Sequence, residues 1–349
     1  MRSFRSDNNA GLCREAIEAL IAANDGGHVT GYGDDPWTAE AEAAFRALFG
    51  ASTRAFLVAT GTAANTLAVA ALTEPWQQVV CHERSHWAEH ESTAPERIAG
   101  CRTRMRGGRD GKLGPEAFDG LGSAADADVH DPQPGVLTVS NPNEMGLVYT
   151  PGEMRALCDA AHAAGYRVHV DGARFANAVA HLECEPRALG QDAGVDALSF
   201  GGTKNGLAMG EAVLFFPQRD GSDYARACER FPYLRKSTAH LISKHRFVAA
   251  PFSAVLEDGA WLRHARHANA MASLLGAELT RIGLPPVVPV ESNGVFVALP
   301  STVDAALAQA GHGYYGFGEP AAGITRLLCS HDTSEEDIHS FIATARQAG

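Results

Sequence analysis

A lysine set among glycines is the first candidate for chemistry. Lys204 lies in the stretch Ser-Phe-Gly-Gly-Thr-Lys-Asn-Gly, residues 199–206, directly after an apolar run typical of a strand. Glycines let the backbone and a bulky ligand approach each other closely. A shielded ε-amine there loses its proton readily, which is why Schiff-base enzymes use lysine. A solvated loop lysine is the ordinary alternative, but the chain has only four lysines to choose from.

A carboxylate follows a second strand-like run. The alternating residues Arg167 to Val170 lead to Asp171, and Arg174 comes three residues later. An acid at this point could pair with the ring nitrogen of pyridoxal 5'-phosphate (PLP) and let the ring withdraw electrons from a substrate carbon. Arg174 could bind a substrate carboxylate through its guanidinium fork. A capping aspartate and a surface arginine are the alternatives, and the company of Lys204 favours the PLP hypothesis.

A third segment could bind phosphate. Thr60-Gly61-Thr62 stands between a buried strand, Ala55 to Ala59, and an apolar helix, Ala63 to Leu72. Free amide groups and the helix dipole favour an anion at such a helix start. Gly-Thr turns before helices are common, so this motif counts only together with Lys204 and Asp171.

The chain also contains a zinc-protease pattern. His82-Glu83-Arg-Ser-His86 matches H-E-x-x-H, in which two histidines share a helix face. The preceding residues, however, favour a loop and then a strand, and Glu89 stands where the extended signature has glycine. We therefore expect a chance match and no metal site.

The elements around these residues alternate between strand and helix. Further strand-like runs precede and follow a predicted helix at Pro151 to Ala164, which indicates an α/β fold with a mostly parallel sheet flanked by helices. Ligands of such sheets bind at the carboxyl ends of the strands, where Asp171 and Lys204 are predicted. We expect a surface loop from Asp119 to Gly135 and one long helix from Glu257 to Leu279. The predicted division is an N-terminal segment, 1–30, a large domain, 31–250, and a smaller α/β C-terminal domain, 251–349.

Composition excludes some classes of partner. The formal net charge of −12 repels phosphate backbones and anionic lipid surfaces, so neither nucleic acid nor membrane is an expected partner. The N-terminus lacks an apolar signal core, and the seven cysteines include no C-x-x-C pair. These features predict a cytoplasmic protein without disulfides.

Several ordered blocks together resemble the threonine aldolase family of fold-type-I PLP enzymes, in particular its low-specificity bacterial branch. They span nearly the whole chain: Ser6-Asp7-Asn8, the Gly31 to Trp37 block, Gly61 to Asn65, His169 to Phe175, Phe200 to Gly206, Glu257 to Arg263 and Asn293 to Phe296.

The resemblance implies a role for each matching residue. Lys204, His86 and Asp171 would be catalytic, with Lys204 carrying PLP as a Schiff base, His86 on the ring face and Asp171 at the ring nitrogen. The implied cofactor contacts are Gly61, Thr62, His86, Asp171, Arg174, Thr203, Lys204 and Arg246, and the implied substrate contacts are Ser6, Tyr32, Arg174 and Arg326. Arg246 would reach the phosphate from a neighbouring subunit, which implies a homodimer or homotetramer.

The implied activity is cleavage of threonine, allo-threonine and related β-hydroxy amino acids to glycine and an aldehyde. Transamination, β-elimination and a PLP-binding module without turnover are the alternatives. One departure bears on mechanism: the chain reads Ser140-Asn141-Pro142-Asn143 where many family members carry a second active-site histidine. The base for the substrate hydroxyl therefore stays open between His86, a bound water and the cofactor phosphate.

Overall fold

The computed structural model describes residues 3–121, 128–219, 221–318 and 323–349. Its strands are β1 (Arg54–Val58), β2 (Gln77–His82), β3 (Arg102–Arg106), β4 (Gln133–Ser140), β5 (Arg167–Gly172), β6 (Ala197–Gly201), β7 (Glu211–Phe215), β8 (Gly294–Ala298), β9 (Tyr315–Gly316) and β10 (Ile324–Leu328). Its α-helices are α1 (Arg14–Asp25), α2 (Pro36–Phe49), α3 (Gly61–Leu72), α4 (His86–Glu89), α5 (Pro151–Ala163), α6 (Phe175–Leu182), α7 (Ser222–Ser237), α8 (Arg246–Glu257), α9 (Ala260–Arg281), α10 (Ser301–Gln309) and α11 (Glu335–Ala348).

A seven-stranded sheet forms the centre, in the order β1-β7-β6-β5-β4-β2-β3. Strands β3, β2, β4, β5 and β6 pair in parallel, and β7 runs antiparallel to both β6 and β1. The prediction of a mostly parallel α/β sheet is thus confirmed. Because β5 and β6 are parallel neighbours, their carboxyl ends meet at one edge, as expected for Asp171 and Lys204.

The strands alternate between two cores because successive side chains point to opposite faces. Along β7, Leu214 packs in the core with α2, α5, α6 and α8, whereas Val213 and Phe215 pack in the core with α3 and α7. A third core lies around the small antiparallel sheet β8-β10-β9, with α9, α10 and α11. No helix among the described residues is both long enough and apolar enough to cross a membrane.

The long helix predicted from Glu257 to Leu279 corresponds to α9, which begins three residues later, at Ala260. Helix α8 ends at Glu257 and α9 begins at Ala260, because Gly259 between them takes a left-handed backbone conformation with φ of +68°. The predicted helix from Glu257 to Leu279 is therefore wrong at its start. The proposed domain limit at residue 250 falls inside α8, which packs on α1 and α2, and α9 contributes to cores on both sides of that limit.

Two smaller differences concern loops. The predicted loop from Asp119 to Gly135 is shorter, since β4 already begins at Gln133, and residues 122–127 of that prediction lie outside the described residues. The N-terminal segment runs beside the small sheet: Leu328 N–H donates to the Phe4 carbonyl at 2.8 Å. The N-terminal segment therefore passes from the third core to the carboxyl edge of the large sheet.

Candidate active site

A cavity of about 590 Å³ opens at the carboxyl ends of β4, β5 and β6, between the large sheet and the small one. Its lining includes Asp171, Arg174, Lys204 and Arg326, together with His86 at the start of α4. The structure thus brings together residues that are up to 240 positions apart in sequence. We call this cavity the cleft.

Lys204 lies in a single turn of 3-10 helix, Thr203–Asn205, just after β6. Burial and the nearby Arg174 cation lower the pKa of its ammonium group, although Asp7 and Asp171 act in the opposite direction. A lowered pKa favours the neutral amine, which is the nucleophilic form. The side chain therefore suits Schiff-base chemistry.

Asp171 stands at the end of β5 with fixed hydrogen bonds. Asn65 Nδ2 donates to its Oδ2 at 2.9 Å, and Ala173 N–H donates to its Oδ1 at 3.0 Å. Burial alone would raise the pKa of Asp171, but the charges of His86 and Lys204 lower it overall. The group stays an anion in a buried place, as a protonated pyridine nitrogen requires.

His86 is held by a residue that the sequence interpretation missed. Its ring Nδ1 donates to Glu91 Oε1 at 2.9 Å, and Asn65 Nδ2 donates to the same oxygen at 3.0 Å. Glu91 is 2% exposed, and its hydrogen bond raises the pKa of His86. Asn65 therefore joins Glu91 to Asp171 and fixes the ring beside the carboxylate.

The predicted phosphate-binding turn, Thr60-Gly61-Thr62, lines a second cavity beside Lys204. Thr60 caps α3 by accepting from Ala63 N–H, so Gly61 and Thr62 form its first turn. A smaller cavity is lined by both residues and by Thr203 and Lys204. The helix start thus offers its positive dipole end next to the amine.

Two arginines face the cleft, and they differ in whether their guanidinium groups already have hydrogen-bond partners. Arg174 donates from Nε and Nη2 to Asp7, at 2.6 and 2.9 Å, so this edge of its fork is already engaged. Arg326, on β10, has a buried Nε with no hydrogen-bond partner among the described residues. Burial and the Arg174 cation lower the pKa of Arg326. An unpartnered guanidinium N–H in the cleft fits a substrate carboxylate.

Of three further predicted contacts, Ser6 lies beside the cleft and the other two lie elsewhere in this chain. Ser6 caps the short helical turn that contains Asp7, accepting from Asn8 N–H at 3.2 Å. Tyr32 is 54% exposed, and its ring faces Lys236. Arg246 donates to the Gly27 carbonyl at 2.7 Å in a separate cavity. Within one chain, Tyr32 and Arg246 are not brought to Lys204.

The two histidines of the H-E-x-x-H match do not share a helix. His82 is the last residue of β2, and His86 is the first residue of α4. The His82 ring lies 3.3 Å from the Gly108 carbonyl oxygen instead. The zinc-protease hypothesis therefore has no structural basis.

Two further carboxylates, Glu144 and Glu211, were missed by the sequence interpretation. Glu144 Oε1 accepts from Ser140 Oγ at 2.6 Å and from His86 N–H at 2.8 Å, and burial raises the Glu144 pKa. Glu211, the first residue of β7, accepts from Gly202 N–H at 2.7 Å, and burial raises its pKa to about 7. The position of Glu211 at a strand start opposite the Lys204 loop was the one available signal.

Comparison with known proteins extends over the whole chain. Residues 3–301 match the family model described as Beta-eliminating lyase. Relatives named low specificity L-threonine aldolase are 41% identical over 347 residues in Pseudomonas sp. (strain NCIMB 10558) and 42% identical over 348 residues in Pseudomonas aeruginosa. Each match covers 99% of this chain and 97% of the relative. A solved threonine aldolase from Leishmania major shares the fold, with a TM-score of 0.90, 24% identity and 99% coverage of both chains.

Proposed function

Because this chain belongs to the beta-eliminating lyase family, we propose that it is a PLP-dependent aldolase that cleaves threonine and allo-threonine to glycine and acetaldehyde, reversibly. Related β-hydroxy amino acids are further substrates of this proposal. The observation that carries it is one cleft containing a buried amine of lowered pKa, a buried anion and an unpartnered arginine, namely Lys204, Asp171 and Arg326.

The residues present fit the proposed cofactor. Lys204 offers an amine to the aldehyde, Asp171 an anion to the ring nitrogen, and Gly61 with Thr62 a helix start to the phosphate. Asn65 Oδ1 is buried without a hydrogen-bond partner among the described residues, as expected of a polar atom in a ligand-binding site. When bound, PLP supplies an electron sink for the carbon that loses its substituent.

The chain's own residues would orient the substrate. Arg326, with the remaining Nη1 of Arg174, would bind the substrate carboxylate. Asp7 fixes the Arg174 plane, because two hydrogen bonds to one carboxylate allow little rotation. Fixing the carboxylate and the amine would hold the substrate in one orientation, in a cleft whose lining also includes His86 and Glu144.

The direct test uses product analysis. The purified protein supplied with PLP should release acetaldehyde and glycine from threonine, and borohydride should attach the cofactor to Lys204, as mapped by peptide mass spectrometry. The Lys204→Ala variant should lose both properties. A keto acid product would instead identify a transaminase or a β-eliminating enzyme, and an inert yellow protein would identify a binding module.

We further propose that active sites are completed by a second copy of the chain. The cavity beside Gly61 and Thr62 has Lys204 as its only Lys or Arg among the described lining residues, whereas Arg246 lies in an exposed cavity of its own. A partner's Arg246 would supply the missing charge to the phosphate. Mixing inactive Lys204→Ala and Arg246→Ala proteins should then restore part of the activity, since one mixed site holds both native residues, and no restoration would refute shared sites.

A cytoplasmic location is part of the same proposal. All seven cysteines carry free thiols in the structure, five of them buried. Unpaired thiols persist best in a reducing compartment. Thiol titration of protein taken directly from cells would test this.

A further inference from the structure

Glu144 occupies a place in the cleft that the proposed reaction leaves without an assignment. It lies in the loop after β4, beside His86 and across from Arg326. Both hydrogen bonds that its carboxylate accepts from other residues, from Ser140 Oγ and from His86 N–H, end on Oε1. Apart from the backbone N–H of Glu144 itself, no described residue donates to the carboxylate, so Oε2 is left for a molecule in the cleft.

The other side chains considered for taking the proton are already engaged in hydrogen bonds. The His86 ring donates to Glu91 from Nδ1, and this hydrogen bond raises the pKa of the ring. Asp171 is bound by Asn65 and Ala173. Asn141, which stands where many family members have histidine, is fully buried and exchanges hydrogen bonds with the Tyr149 backbone.

We propose that Glu144 is the base that accepts the β-hydroxyl proton of the substrate, an assignment that rests on the proposed aldolase function. The O–H bond breaks, and its proton passes to Glu144 Oε2. The electron pair of that bond forms the second C–O bond of the aldehyde as the Cα–Cβ bond breaks, and the Cα–Cβ pair remains with Cα. Cα then takes up one proton from water and Glu144 returns its proton to water, so that glycine and the aldehyde form with no net change in protons.

The surroundings suit this task. Burial raises the pKa of Glu144, while the hydrogen bonds from Ser140 and His86 N–H limit the rise. A base whose pKa approaches the working pH is the most effective one. The charged or titratable groups that share its surroundings are Cys81, Arg84, His86, Glu89, His90, Tyr149, Asp171, Arg174, Lys204, Tyr315 and Arg326. Of these, Asp171 adds to the rise in the Glu144 pKa.

Glu144→Gln separates the proposed step from binding. This holoenzyme variant should cleave threonine about 10²- to 10⁴-fold more slowly, the usual contribution of a general base. It should bind glycine with unchanged affinity in a spectral titration and should exchange the glycine Cα proton in D₂O at the wild-type rate, because neither involves a β-hydroxyl. Glu89→Gln, a carboxylate on the same side in α4 that pairs with His90, is the matched control and should match wild type throughout.

The result against this assignment is a Glu144→Gln enzyme that cleaves threonine at the wild-type rate, or one that loses glycine exchange in parallel with cleavage. If wild type itself releases no aldehyde, the proposed function fails first, and this distinguishes the two failures.

Ser140→Ala gives an independent test should Glu144→Gln not fold. Without the Ser140 hydrogen bond to the ionised carboxylate, the pKa of Glu144 should rise. The acid limb of the kcat profile should therefore move to higher pH, while glycine affinity measured above that limb stays at the wild-type value. An unmoved acid limb would overturn the assignment.

Discussion

Glu211 should make the cofactor-free protein less stable as the pH rises. Its carboxyl is buried, and its pKa is raised from 4.5 to about 7. Between pH 4.5 and about pH 7 the folded chain keeps a proton on Glu211 that the unfolded chain has lost. The contribution of Glu211 to stability is therefore fully present below pH 4.5 and is lost as the pH rises through about 7. At about 1.4 kcal/mol per pH unit, the loss by pH 8 is about 3 kcal/mol.

Glu211→Gln removes this titration and keeps an acceptor for Gly202 N–H. The assay is urea unfolding of wild type and variant at several pH values and one protein concentration. The free energy of unfolding of wild type relative to the variant should fall by about 3 kcal/mol between about pH 4.5 and about pH 8.

Glu153→Gln is the control, because the contribution of Glu153 to stability changes with pH in the opposite direction. Burial alone would raise the pKa of Glu153, but Thr150 and Lys112 lower it overall. The contribution of Glu153 to stability is thus present above pH 4.5 and is lost only as the pH falls. The difference in free energy of unfolding between wild type and Glu153→Gln should therefore be constant above about pH 5. A Glu211→Gln difference that is equally flat would refute the reasoning.

Three further substitutions test other contacts of the cleft. Arg326→Ala should lower kcat/KM for threonine about 10- to 100-fold, because a charge-assisted hydrogen bond contributes about 1.5–3 kcal/mol. Arg326→Lys should recover only part of the lost kcat/KM, and wild-type kinetics in the alanine variant would contradict this role. Asp7→Asn leaves the Arg174 cation buried without its anion and should cost about 3–5 kcal/mol in urea unfolding, whereas an unchanged midpoint would rule out a strong pair. Asn65→Ala removes hydrogen bonds to Asp171 and Glu91 and should lower stability by at least about 1.5–3 kcal/mol, which thermal unfolding of the cofactor-free protein would check.

The sequence was sufficient for the sheet because strand patterning is local. The runs predicted around β5 and β6 agree with the structure to within two residues. Nearly all of their side chains are buried, because helices cover both faces of the sheet. Asp171 and Lys204 were placed at strand ends by the same local pattern. Their meeting in one cleft then follows from the parallel pairing of neighbouring strands.

The break between α8 and α9 also had a local signal. Asp258-Gly259 is a turn dipeptide inside an otherwise helical pattern, and the apolar spacing on both sides concealed it. A glycine in the left-handed region ends one helix and starts the next.

The remaining carboxylates of the site depend on contacts that no local pattern contains. The pair between Asp7 and Arg174 joins residues 167 positions apart, and Asn65 reaches Asp171 over 106 positions. Glu91 and Glu144 stand in loops, where acidic residues are ordinarily solvated. Only the folded chain shows that they are enclosed and hydrogen-bonded to His86.

The raised pKa of Glu211 also bears on Lys204. The amine lies near two carboxylates that remain anionic, Asp7 and Asp171, and both favour its protonated form. An ionised Glu211 would add a third negative charge beside it. Burial keeps Glu211 protonated below about pH 7, so this charge is largely absent there. The lowering of the Lys204 pKa by burial and by Arg174 prevails even against the charges of Asp7, Asp171 and Glu211. Protonation of Glu211 below about pH 7 therefore favours the neutral amine further.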